Sequence, residues 1–556
     1  MNIPGTEEWN FTDVKFLPIL KEYAKRINLV ETINTMTDSK MDLSPGDAVL
    51  GMIMDTVSGR TPLYRLEEAF DEMDTELLFG KPISPDKFND TNMGRVLDKL
   101  FETGTQKIFS QISQNAIGCF KLDTRHHHFD TTSVSVFGAY EDHPDTQLNI
   151  TYGYSKDKRP DLKQFMVSML CVDRNIPIIG KTQDGNASDK TLNNELLSHI
   201  SSHMAEHGFK PGASIYVADS AFVTTDNLIA AEGNGIRFLS RLPANFNECK
   251  HAIAQAVAAD NWVDIGALAE SQSEKKPPAS YRYYETTATI GDGAYRAIVY
   301  HSSAHDKRRQ KRIDRILKTS KDQLEKKIKE ATLQPFKCRP DAEVAAGTLV
   351  KAADKSLYNL RAEIIDVPKY GKGRPKKGEA RKPKSIEYEL KATVEEDPEK
   401  TEKIRLEAGC FVLITNVPAQ ADEQEWPGVE LLRLYKEQDG IEKNFGFLKD
   451  PAIVNAIFLK KPKRVEALGL ILLLSLLLWR LIERNLKLHV KKTGKRLPGW
   501  KKKPTNSPTA FMMTTKFLSI LVITVGRQRK LAKPLNDTQV QYLRALDVPP
   551  ECFFVP

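Results

Sequence analysis

The sequence predicts an α/β fold: a mixed-sheet core with a helical N-terminal domain and a β-containing insertion. Three observations carry this. Apolar residues recur at helical spacing over the first 120 positions, the period changes to two near Arg125, and helix and strand patterns then alternate. Meandering strands followed by alternating helix and strand are the order of a ribonuclease-H-like core. The chain has 556 residues, 40 % apolar and 28 % charged, enough for two or three packed units.

Residues 1–120 read as short helices. "FLPILKEYAKRINLVETI" repeats apolar positions at helical spacing, and "SPGDAVLGMIMDTV" opens with Ser44 as N-cap and Pro45 in the first turn. Further helices are expected over 63–72 and 92–102. From Arg125, "HHHFDTTSVSVFG", "QLNITYGYS" and "KQFMVSMLCVD" read as three consecutive strands, rich in β-branched and aromatic residues. A helix over "DKTLNNELLSHISSHMAEHG", a strand over "ASIYVADSA", a helix over "TTDNLIAAEGNG" and a strand over "IRFLSRL" follow.

Regularity breaks after Pro243, and residues 243–408 are read as an insertion. It holds a hairpin turning at Gly291–Asp292–Gly293, then a helix over 307–330 with a narrow stripe of Ile313, Leu317, Leu324 and Ile328 among eleven Lys and Arg. The Gly/Pro/basic loop "KYGKGRPKKGEARKPK" comes next and cannot build a core. "CFVLITNV" resumes the α/β pattern, so the core is assigned to 121–242 and 409–486, with a basic C-terminal region over 487–556.

The formal net charge is +8, and residues 486–503 carry eight Lys or Arg with no acid. Such a stretch suits a polyanion, because each neutralised phosphate releases counterions; a solvated tail is the plainer reading. Six widely spaced cysteines show no CxxC, which argues against a zinc site and fits a reducing, cytoplasmic setting. No signal peptide is read at the start. The apolar run "ALGLILLLSLLL" spans 12 residues, short for a bilayer, and reads as a buried core helix; no membrane partner is expected.

The residues that carry chemistry are acids. On a strand, His126, His128 and Asp130 share one face. Asp219 directly follows the apolar strand "SIYVA", where α/β folds present ligands. Each acid alone also reads as a cap or turn carboxylate. In "LYKEQDGIEKNFGFLKD", Tyr435, Gln438, Glu442 and Lys449 fall within about 60° of arc on one helix at roughly 100° per residue. A polar stripe of this kind suits a site that holds metal and grips phosphate; a solvated face is the alternative.

Tyr435-x2-Gln438-x3-Glu442-x6-Lys449 resembles the Y-x2-R-x3-E-x6-K signature of DDE transposases from bacterial insertion sequences, the insertion-sequence-four superfamily. "DTTSVSVFG", "ITYGYSKDKRPDLKQF", "GKTQDGNASDKTLNN", "ADSAFVTTDNL" and "DGIEKNFGFLKDP" resemble its sixteen-thirty-four-like branch. The resemblance implies that Asp130, Asp219 and Glu442 are catalytic carboxylates holding two Mg²⁺ ions, with Mn²⁺ able to substitute. Phosphodiester chemistry with two ions about 4 Å apart needs hard oxygen donors, and three carboxylates supply them. "RHHH" at 125–128 raises zinc as a rival, but adjacent histidines on a strand point to opposite faces.

The resemblance further implies a transposase acting on the element's terminal repeats and target DNA, as a homodimer on DNA, with residues 1–120 binding the DNA ends. Tyr435, Gln438 and Lys449 are then DNA contacts. Gln438 stands where the signature has Arg, and it brings no charge to a phosphate. Arg374, Lys376 and Lys377 lie in "KGRPKK", which has the Gly-Arg-Pro core of an AT-hook for a narrow A·T minor groove. A nuclease of the same fold that cuts without joining, and an inactive DNA-binding descendant, are the alternatives.

Overall fold

The computed structural model describes residues 9–556 other than 60, 139, 141–147, 156–158, 189–191, 193–213, 269–277, 355, 373–379, 381, 422–423 and 451–458. The chain divides into two compact units, Met1–Ser240 with Leu431–Pro556, and Arg241–Glu430.

The first unit opens on a strand, β1 (Trp9–Asp13), followed by α1 (Leu17–Arg26) and α2 (Leu29–Thr37). The helical pattern of "FLPILKEYAKRINLVETI" forms two helices that meet at Asn28, whose left-handed backbone (φ 50°) turns the chain. Asn tolerates that conformation better than most residues. α3 (Pro45–Ser58) starts as its sequence dictates: Pro45 occupies the first turn, and the Ser44 side chain accepts from the Asp47 backbone N–H. α4 (Leu66–Asp71), α5 (Thr75–Phe79), α6 (Asp90–Thr103) and α7 (Thr105–Phe120) complete the helical region.

The α/β part follows with β2 (His126–Val136), β3 (Lys163–Val172), β4 (Ile176–Gln183) and β5 (Ile215–Ala218), then α8 (Thr225–Gly233) and β6 (Arg237–Arg241). Spatial order is β4-β3-β2-β5-β6. β3 runs antiparallel to both neighbours, whereas β5 and β6 run parallel to β2. This is the ribonuclease-H order. One expected strand is corrected: "QLNITYGYS" contributes only an isolated bridge, Thr151 with Gln164. The third meander strand is instead β4, joined to β3 by a tight turn at Asp173 and Arg174, both at positive φ. Pro177 and Gly180 hid β4 from a propensity reading, yet an edge strand tolerates both. The helix expected over 189–208 lies outside the described residues, save Leu192.

The second unit begins with α9 (Asn247–Ala259) and β7 (Val263–Ala267). The hairpin β8 (Ser280–Ile290) and β9 (Gly293–Ser302) turns on Gly291, at φ 59°. α10 (Ser303–Ala331) is the basic helix. Ile313, Leu317 and Leu324 are buried, and Ile328 packs on the same cluster, which includes Leu349, Tyr358 and Leu390. α11 (Arg339–Asp354) leads to β10 (Tyr358–Lys369) and β11 (Ser385–Glu396), a long antiparallel hairpin not expected from the sequence. Its tip contains the Gly/Pro/basic loop, and Arg374, Lys376 and Lys377 lie outside the described residues. α12 (Pro398–Glu407) and β12 (Cys410–Thr415) close the unit, with order β12-β9-β8-β7.

Beyond these come α13 (Gly428–Lys436), α14 (Asp439–Lys449) and α15 (Pro462–Thr493). α15 contains the apolar run and is long and apolar enough to cross a membrane by length and composition, but 94 % of its most apolar window is buried. It packs against α3, α6, α7 and β4 as the central core helix of the first unit. Gly180 permits the close approach: a Cβ there would sit 2.5 Å from Leu473 Cδ1. Truncating a core leucine of this kind to Ala costs about 2–5 kcal/mol. The C-terminal strands β13 (Leu521–Val525) and β14 (Gln528–Leu531) join β1 in a small antiparallel sheet. All six cysteines are free.

Candidate active site

Asp130 sits mid-strand on β2, half-buried, and its carboxylate accepts from the Thr131 backbone N–H at 2.7 Å. Asp219 follows the last residue of β5 and caps a single 3₁₀ turn, accepting from the Ala221 N–H at 3.0 Å. Its own carbonyl accepts from Ser240 Oγ at 2.7 Å, so β6 fixes the backbone there. Because β2 and β5 are parallel with His128 opposite Val217, two residues further along each strand place Asp130 and Asp219 level and on one face. Burial, and then the charges of Asp219 and Asp130, push the Tyr216 hydroxyl well above its ordinary range.

Glu442 stands apart from this pair. It is exposed, in the first turn of α14, where the helix dipole favours a carboxylate. The single polar stripe expected from the sequence is corrected as well. Tyr435 belongs to α13, Glu442 and Lys449 to α14, and Glu437 and Gln438 form a break between them. The break is closed by tight i→i+3 bonds, Gln438 N–H to Tyr435 O at 3.3 Å and Gly440 N–H to Glu437 O at 2.9 Å. Such turns advance faster than 100° per residue, so the arc calculated for one helix does not hold across it. Tyr435, Gln438 and Lys449 are half-buried.

α14 is held to the sheet by residues the sequence reading passed over. Asn444 is fully buried and donates to the Asn175 carbonyl at 2.9 Å, with Met169 Sδ at 3.4 Å and Cys171 Sγ at 3.3 Å. Met169 is the cross-strand neighbour of Asp130, and Cys171 that of His128. Gly440 lets the helix start lie on the β3–β4 turn: a Cβ there would meet Arg174 O and Asn175 Cβ, each at 2.9 Å. Glu437 lies 3.7 Å from His128 Nε2 and 3.5 Å from Arg174 Nε. Burial alone would raise the Glu437 carboxyl, but the His128 ring and the Arg174 guanidinium outweigh it and hold the group below the usual range. The signal in the sequence was faint: a lone Asn in an apolar stretch, and an Asp–Arg pair between two strands.

Asp130 and Asp219 together offer hard oxygen donors of the kind a divalent ion takes. Among the described residues, no group of three His, Cys, Asp or Glu is placed to hold a metal. Glu442, the third expected carboxylate, is exposed on α14. His127, on the face of β2 opposite His126 and His128, is buried, and that burial pushes its pKa down to about 3.

A ribonuclease-H-like core with one aspartate within β2 and a second just past the adjacent parallel strand β5 is the frame of an enzyme whose carboxylates face a ligand at the sheet. Residues 124–478 match the family model described as the transposase DDE domain, and with more than half its length inside that match the chain belongs to this family. It is a DNA-processing enzyme, and domains of this family generally use divalent metal ions. Residues 9–114 match a domain of unknown function, DUF4277. No curated protein matches the chain. Among solved structures it is similar to the piggyBac transposase synaptic complex with hairpin DNA, at 10 % identity over 85 % of this chain and 76 % of that one. The TM-score is 0.35.

Proposed function

We propose that the chain is the transposase of a bacterial insertion sequence, of the insertion-sequence-four superfamily and its sixteen-thirty-four-like branch. It binds the ends of its element, cleaves them and transfers the freed strands to target DNA, in cut-and-paste fashion. The observation that carries this reading is the level placement of Asp130 and Asp219 on neighbouring parallel strands within a transposase DDE domain.

Asp130, Asp219 and Glu442 would hold Mg²⁺, or Mn²⁺ in its place, as two ions. When bound, such ions activate the attacking oxygen and stabilise the leaving one. The chain's own residues do the rest. Lys449, at the end of α14, would grip a phosphate near the scissile bond, and Gln438 would offer it hydrogen bonds without charge. Tyr435 would pack against the DNA. Residues 1–120 bind the element ends, residues 121–242 and 409–486 form the catalytic core, and residues 243–408 are an insertion. Arg374, Lys376 and Lys377 contact the minor groove, and the basic stretch in 487–556 contacts backbone phosphate. Two ends must be held together, which calls for a homodimer on DNA, acting in the cytoplasm.

The test is incubation of the purified chain with Mg²⁺ and duplexes carrying the DNA that flanks its gene, with mapping of cut and joined strands. Cleavage at the element ends with joined product, abolished by Asp130→Ala and by Asp219→Ala while DNA binding persists, is the expected result. Cleavage without joining would replace the reading with a nuclease. Activity that survives Asp130→Ala would end it.

A further inference from the structure

We propose that His128, Glu437 and Arg174 form a positioning latch that sets the first turn of α14, and with it Glu442, against the strand bearing Asp130. The inference rests on the reading of Asp130, Asp219 and Glu442 as the metal-binding carboxylates.

The latch joins three separate elements. His128 lies on β2, two residues before Asp130 and on the same face, with 0 % exposure. Neither of its ring nitrogens has a hydrogen-bond partner among the described residues. A buried imidazole left in that state loses its hydration with little in return. Such groups are few in folded chains and call for an explanation. The explanation here is the carboxylate facing it: Glu437 Oε2 is 3.7 Å from Nε2, just beyond hydrogen-bond length. From the other side, Arg174 Nε lies 3.5 Å from Glu437 Oε1.

Glu437 occupies the break between α13 and α14, and its carbonyl accepts from the Gly440 N–H at 2.9 Å. A residue in that break controls where α14 begins. Both latch contacts are slightly open, so a shift of under about 1 Å closes them to ordinary hydrogen-bond length. Closing draws the start of α14 toward β2, where Asp130 stands. Gly440 leaves no Cβ in the way, and the rest of α14 is anchored through Asn444. The same contacts account for a Glu442 that is exposed when the latch is slack. None of the three latch residues touches the reacting atoms; they act through Glu442.

The experiment uses the full-length chain and Mn²⁺ alone, with free Mn²⁺ followed by its EPR signal and folding by thermal unfolding. Glu437→Ala should weaken Mn²⁺ binding about tenfold with the unfolding midpoint held, the loss typical of removing a group that orients a metal ligand. Glu437→Gln, which keeps the hydrogen-bonding shape, should recover part of the loss. A merely structural Glu437 would move the midpoint and not the affinity. Arg174→Ala, a change at a side chain 71 % exposed, should give a smaller weakening in the same direction, and it carries the test if Glu437→Ala does not fold. Wild-type affinity in both Glu437→Ala and Arg174→Ala, with binding lost in Asp130→Ala, overturns the latch and leaves the functional reading standing. Wild-type affinity in Asp130→Ala, or no Mn²⁺ binding by the native chain, overturns the reading itself and the latch with it.

Discussion

Arg480 Nε donates to Asn444 Oδ1 at 2.7 Å, deep in the core of the first unit, and Asn444 returns its amide N–H to the β3–β4 turn. Through this pair the helix carrying Glu442 is tied at once to the central helix α15 and to the sheet. Arg480 also donates to the Lys443 carbonyl at 2.8 Å and pairs with Glu483 at 3.2 Å, with side chains only 6 % and 7 % exposed. Arg480→Met would strand these acceptors in the core. A loss of about 3–5 kcal/mol is expected, as for breaking other buried charged pairs. Urea unfolding measures it, and a loss below about 1 kcal/mol would show that the network does not bear on stability.

Gly440→Ala tests the approach of α14 to the sheet. The added methyl would meet backbone, the Arg174 carbonyl at 2.9 Å, which cannot swing aside as a side-chain tip can. Overpacking of this sort costs about 1–3 kcal/mol. The helix start should be pushed outward, so strand cleavage should fall further than DNA binding. Equal losses in the two assays would contradict the placement.

His127 makes stability depend on pH. Burial lowers its pKa to about 3, whereas the unfolded chain titrates near 6.5. The unfolded state alone takes the proton between those values. The contribution is therefore complete above pH 6.5 and is lost as pH falls toward 3, at up to about 1.4 kcal/mol per pH unit. In His127→Phe, which keeps an aromatic ring against that side of the sheet, the slope of stability against pH in this window should flatten. Chemical denaturation at pH 7.0, 6.0 and 5.0 reads it directly.

Glu466 has the opposite sign. Burial raises its carboxyl above the usual range, and Thr105 Oγ1 donates to it at 2.8 Å. An acid whose folded pKa exceeds its unfolded one favours folding at low pH, and that advantage disappears as pH rises through the folded value. Glu466→Gln keeps the acceptor and removes the charge. It should raise the melting temperature by about 1–2 °C at pH 7 and leave it unchanged near pH 4. An unchanged value at pH 7 would count against the buried charge.

Particular residues show where the sequence was legible. Ser44 and Pro45 marked a helix start because capping is local chemistry, complete within four residues. "SIYVA" and "CFVLIT" were readable as strands because both faces are buried and the runs are continuously apolar. β4, β10 and β11 were not, since an edge strand and a solvent-facing hairpin are specified by pairing partners far away in the chain. The break at Glu437–Gln438 was invisible for a similar reason: nothing in "YKEQDG" forbids a continuous helix, and the packing of Gly440 on the β3–β4 turn accompanies the interruption.

By itself, the sequence determined the alternation of helix and strand, the buried apolar helix and the two aspartates at strand positions, because periodicity and local polarity are properties of short segments. Only the tertiary structure decided that Asp130 and Asp219 stand level, through the parallel register of β2 and β5. It alone also decided that Glu442 rides on a separate helix, held by Asn444, Arg480 and the Glu437 contacts. Register and helix docking are set by contacts between residues tens to hundreds of positions apart, which no local pattern encodes.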